Sequence, residues 1–220
     1  MLVSRTAKIV TAASLLGVLY AAPLWADSAR FSESLADKLV GTRDPGPPPS
    51  TSYDVATTDS GTLACSVTIA GLKDLQVDGS TAFYVSLGGW VFSDTLGDAH
   101  ISGHTATFYQ TVDVQNPKTG ATTSQTVGKI TFTQRGNVLV ISATSKALAD
   151  SSFVAANQVG TPGRFSGQLT LSVSVGNLTP PDITMNYTGN STVKTKTVGS
   201  GDNKQSFDLN AVKVSGSMAR

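Results

Sequence analysis

Cysteine, glutamate and histidine are nearly missing from this chain: its 220 residues hold one Cys, Cys65, one Glu, Glu33, and two His, His100 and His104. A lone cysteine excludes an intramolecular disulfide and every paired-cysteine metal or redox motif, so no covalent staple supports the fold. Glutamate is a helix former, and the acids are instead aspartates set beside Gly, Ser and Asn in ATTDSG, QVDGS, LGDA and SGDNK. That is the distribution of turns between strands. An excess of charge of either sign is missing too: 16 Lys+Arg face 15 Asp+Glu, a net +1. Such a field is too weak to collect nucleic acid, and no nucleic-acid partner is expected.

The short motifs of common enzymes do not occur. There is no G-x-S-x-G nucleophile elbow, no phosphate-binding loop, no C-x-x-C and no H-E-x-x-H. A glycosidase pair would need two aspartates across a cleft, and no pair stands out from the turns. A non-enzymatic protein is expected.

What is present begins at the N-terminus. MLVSRTAK is a short basic region through Arg5 and Lys8, residues 9–24 are apolar apart from Thr11 and Ser14, and Ala26 ends a small-residue exit. Residues 1–26 resemble a secretory signal peptide, with an uncleaved anchor as the alternative. The expected location is therefore outside the cytoplasm, whether extracellular, at the cell surface or periplasmic, with no membrane span in the mature chain.

Next, Phe31, Leu35 and Leu39 recur at spacing four, with Ser32 as a helix cap and Gly41 as a stop, which predicts a short amphipathic helix over 27–43. The prolines of TRDPGPPPSTS then predict a linker over 44–60.

From Gly61 to the end the period is two. Leu63, Cys65, Val67 and Ile69 alternate with Ala64, Ser66 and Thr68, and Leu169, Leu171, Val173 and Val175 repeat the pattern. Each run has one apolar and one Ser/Thr-rich face, and RGN and PKTG read as hairpin turns. Only 145–160 breaks the alternation, as one helical turn or a long connection between sheets. The expected fold is all-β over 61–220, an antiparallel β-sandwich of immunoglobulin-like type, with a closed β-barrel as runner-up.

Two groups of residues are candidate sites. SDTLGDAHISGH places Asp94, Asp98, His100 and His104 within twelve residues, the right donors for zinc or copper if a turn folds them together. Tyr84, Trp90, Tyr109 and Tyr187 are candidates for an exposed aromatic platform that stacks on sugar rings or anchors a protein. Cys65 lies on the apolar side of its strand, as a buried small hydrophobe would. The expected function is an exported structural or adhesion-like component with a protein or carbohydrate partner, the alternatives being a carbohydrate-binding module and a small metal-binding protein.

Overall fold

The alternation becomes strand after strand in a computed structural model that describes residues 25–43, 53–71, 77–116, 119–146, 154–199 and 204–219. In chain order these are β1 (Trp25–Arg43), β2 (Tyr53–Ala70), β3 (Ala82–Leu87), β4 (Trp90–Thr95), β5 (His100–Ser102) and β6 (Thr105–Gln115). There follow β7 (Thr122–Arg135), β8 (Val138–Ser145), β9 (Gly163–Val175), β10 (Ile183–Val198) and β11 (Gln205–Met218). The described residues include two short 3-10 turns, Leu96–Asp98 and Ala156–Gln158, and no α-helix. No helix among them is long and apolar enough to cross a membrane.

All eleven strands belong to one antiparallel sheet in the order β4-β3-β9-β10-β11-β1-β2-β8-β7-β6-β5. One continuous sheet, curled into a half-barrel, stands where two separate sheets of an immunoglobulin-like sandwich, or a closed barrel, were expected. Alternation marks which residues face inward and is silent on whether neighbouring strands stay hydrogen-bonded around the bend.

The curl lets the apolar face bury itself against itself. Phe83 of β3 lies 5.2 Å from Phe108 of β6 and 4.6 Å from Phe132 of β7, ring centre to ring centre, and Phe92 of β4 lies 5.1 Å from Phe108. These contacts join strands from opposite ends of the sheet. Trp90, only 6% exposed, adds to the closure beside Gln110, Val112 and Val127. Glycine permits close packing on the inner face of the other half. A Cβ at Gly189 would strike the ring of Phe165, its cross-strand partner, and a Cβ at Gly216 would strike Phe31, its partner on β1.

The segment over 27–43 is a correction: it is strand β1, at the centre of the sheet between β11 and β2. Spacing four puts Phe31, Leu35 and Leu39 on one side of a strand just as on one side of a helix. What hid the strand is Glu33, an inward-facing carboxylate that broke the apolar alternation. It is only 3% exposed, and its Oε2 accepts the backbone N–H groups of Val154 and Ala155 at 3.2 and 3.3 Å. Those residues belong to the connection from β8 to β9, whose Ala156–Gln158 turn agrees with the helical turn read in 145–160. The proposed linker is corrected in part as well, since β2 starts at Tyr53 and takes up 53–60. Residues 44–52 and 1–24, with the basic region and apolar run, lie outside the described residues; cleavage after Ala26 would remove two residues of β1.

Three hairpins outrun their neighbours at the same end of the sheet. β1 and β2 pair with each other to Arg43↔Tyr53, whereas pairing with β11 stops at Ala36 and pairing with β8 at Leu63. β10 and β11 continue to Val198↔Gln205, and β6 and β7 to Gln115↔Thr122. Where the first two diverge, Asp37 Oδ2 accepts both the backbone N–H and the side-chain amide of Asn210, at 2.8 and 2.7 Å. Asn210 Oδ1 in turn accepts the Gly160 N–H at 2.9 Å, tying the β8–β9 connection to the same point.

Two stability tests follow from this packing. Glu33→Ala strands two buried amide N–H groups and should lower the unfolding free energy by about 3 kcal/mol in urea denaturation, with Glu33→Gln costing less because it keeps an acceptor. Gly216→Ala forces Phe31 off its partner strand and should cost about 2 kcal/mol by the same measurement.

Candidate functional site

With the apolar side chains turned inward, the outer face of the sheet is left to the Ser, Thr, Asn and Gln residues that alternate with them. The register aligns these into rows. One row runs directly across neighbouring strands from Gln168 through Asn186, Ser217, Arg30, Ser66 and Ser142 to Thr131, Thr107 and His100. A second runs from Ser166 through Thr188, Ser215, Ser32 and Ala64 to Thr144, Lys129 and Tyr109. A third is shorter, from Arg164 through Asn190, Lys213 and Ser34 to Thr62. Hydrogen bonds within the rows hold rotamers in place, as between Gln168 Nε2 and Asn186 Oδ1 at 2.8 Å and between the hydroxyls of Ser34 and Thr62 at 2.7 Å. Cross-strand polar pairs of this kind stabilise a sheet by about 0.2–1 kcal/mol each.

Charge is divided between the faces. Arg30, Lys129, Arg164, Lys194, Lys196 and Lys213 are all exposed and stand on the outer side of their strands, as do Lys38 and Arg135. Among the strand carboxylates whose side chains are described, Glu33, Asp37, Asp94 and Asp208 fall on the inner side by alternation, while Asp27, at the bulge of β1, and Asp113 remain outside. A formal net charge of +1 thus conceals a cationic face. Lys194 and Lys196 lie beyond Ser191, where β9 no longer pairs with β10, and so guard an edge against strand addition.

The middle of this face is concave. Over β9, β10, β11, β1 and β2 there is an open groove of about 900 Å³ carrying the Arg164 to Thr62 row and the Ser166 to Ser32 part of the second. A further hollow of about 880 Å³, with Asp27, Arg30, Asn186 and Ser217, continues it, and Thr188 and Ser215 line both. Asn186 and Asn190, each the first residue of an N-x-T triplet, stand on its floor, where an attached glycan would fill it.

The residues singled out from sequence are dispersed. His100 and His104 are exposed on β5 and in the turn after it, Asp94 Oδ1 accepts the Thr95 N–H at 2.9 Å, and Asp98 Oδ2 accepts the Thr95 hydroxyl at 2.9 Å. Among the described residues no three His, Cys, Asp or Glu side chains group as they would to hold a metal ion. Nor do the aromatics form a platform. Trp90 is a core plug, and Tyr187 faces inward over Gly167, edge-on to Phe31 at 6.3 Å and to Phe165 at 6.5 Å. Tyr84 is half-buried on the outer side of β3, far along the sheet from Tyr109, which is 55% exposed at the end of the second row. Arg30, Arg164 and Lys213 escaped the reading of the sequence. The signal available for them was their place on the polar side of alternating strands, and only the register brings those sides together.

No protein-family model matches the chain, and comparison with curated proteins and with solved structures gives no match.

Cys65 is buried among apolar neighbours on β2, and burial pushes its thiol from 9.0 up to about 12. At pH 8 the native protein should therefore leave a disulfide reagent unreacted until denaturant is added. Between pH 9 and 12 the unfolded thiol ionises while the folded one keeps its proton, so this group's contribution to stability, intact below pH 9, declines as pH rises. Denaturation across that range should show a slope that Cys65→Val removes.

Proposed function

We propose that the protein is an exported, non-enzymatic, adhesion-like surface component that binds its partner through the outer face of the sheet. The signal-peptide pattern of residues 1–26 supports the location. The observation that carries the reading is the row of polar side chains in register over nine neighbouring strands, hollowed over β10, β11 and β1. A wet, donor-rich face of that extent offers many shallow hydrogen bonds to an extended partner. Four candidate catalytic side chains are otherwise engaged: Cys65 is un-ionised in the core, Asp94 and Asp98 brace a turn, and Glu33 holds a connection.

The second reading is a carbohydrate-binding module using a ring, and the exposure of Tyr109 beside Lys129 is what favours it. Its sign would be glycan retention lost on Tyr109→Ala.

Because Cys65 is protected, a cysteine introduced on the surface can be labelled alone. Ser215→Cys carrying a maleimide-linked polyethylene glycol blocks the groove, and Asn137→Cys in the β7–β8 turn is the control. Over a panel of immobilised extracellular polysaccharides and matrix proteins, retention should be lost with the label at Ser215 and kept with it at Asn137. Retention indifferent to the Ser215 label would overturn the reading.

A further inference from the structure

We infer that the hollow over β9, β10, β11 and β1 is a binding site for an acidic polysaccharide, with Arg164, Lys213 and Arg30 pairing with its carboxylate or sulfate groups. The inference rests on the outer face being the binding face and names the chemistry of its ligand.

Three observations carry it. First, the cations face no carboxylate across the strands. Arg30 is opposed by Ser217 and Ser66, Arg164 by Asn190, and Lys213 by Ser34 and Asn190. Glu33 turns its side chain to the inner face, leaving Asp27 at the far end of the hollow. Positive charge in the trough is therefore offered outward.

Second, the spacing is that of a polymer with intermittent charge. Arg164 and Lys213 lie in one row two strands apart, roughly 9.5 Å on the spacing of a sheet, and Arg30 lies about 13 Å farther along the strand direction, four residues from the Ser34 that opposes Lys213. Between them stand Asn190, Thr188, Ser215, Ser32 and Ser217, which donate to and accept from hydroxyl groups. A chain of sugars carrying an acid on every second ring presents that alternation.

Third, the trough suits other polyanions less. No aromatic ring stands among its outward side chains on which bases could stack, as single-stranded nucleic acid requires. Duplex DNA carries a charge about every 1.7 Å of its axis, far denser than these three widely spaced cations match. The outward side chains include no large apolar group to enter a lipid surface.

The test measures binding of the purified protein to hyaluronate and to heparin, with dextran as the uncharged polysaccharide and a DNA duplex as the non-sugar polyanion, at several salt concentrations. Binding to at least one acidic polysaccharide, weakening with salt and exceeding that to dextran and DNA, is expected. Each of Arg164→Gln, Lys213→Gln and Arg30→Gln should weaken it roughly two- to fivefold, and the triple variant by about tenfold or more. These side chains are exposed, so an unchanged melting temperature is the check on folding. Equal retention on dextran, tighter binding to DNA, or full affinity in the triple variant overturns the inference. If in addition the Ser215 label still abolishes retention on some other polymer, the outer face stands as the binding face and only its ligand class falls.

Discussion

The meeting of Phe83 and Phe92 with Phe108 and Phe132 is the constraint on which the rest of the structure depends. Among the described residues there is no α-helix to cover the apolar face of the eleven-stranded sheet, and its cover is its own other half together with Val154 and Ala155 of the β8–β9 connection. Ring pairs of this kind contribute about 0.5–1.5 kcal/mol each beyond the area they bury, and here they join strands that stand at opposite ends of the hydrogen-bonded order. Once the ends meet, the inward positions around these rings are dry and most outward ones reach water, Thr107 being an outward residue that stays buried. The glycines under Phe31 and Phe165 serve the same closure, by letting rings lie flat against a neighbouring strand.

That division explains where the charges went. A carboxylate on the inner side survives only if backbone or side-chain donors meet it, and Glu33 and Asp37 both have such donors, in the β8–β9 connection and in Asn210. Lysine and arginine find no comparable acceptors inside and collect on the outer side, where their long stems cover the pleat and their heads reach water. The polar face is thus a by-product of how the core is closed. Its register makes it more than a scatter of polar residues, because each serine or threonine of the rows has a polar side chain opposite it on at least one neighbouring strand.

Much of the strand content was legible in the sequence, and for a clear reason: Leu63 to Ile69 and Leu169 to Val175 each carry an unbroken alternation that the structure turns inward. The two-residue link between β7 and β8 was legible too, with Gly136 at φ 58° where only glycine is comfortable. β1 was not, because a buried glutamate and a spacing of four imitate a helix until a partner 121 residues away is seen to receive the carboxylate. The groove was illegible for a related reason. Arg164, Lys213 and Arg30 are far apart in the chain, and no local pattern says that β9, β11 and β1 fall within four neighbouring strands.

The strand order also governs when the sheet can form. β1, the earliest described strand, lies at the centre and pairs from Arg30 to Ala36 with β11, the last. On that side it has no neighbour until the end of the chain has been synthesised. Pairing across such sequence distances makes for slow closure, since the loop entropy is lost before the contacts form. A nascent chain of this kind keeps one side of β1 unpaired until β11 has emerged, and that edge is open to other strands in the interval.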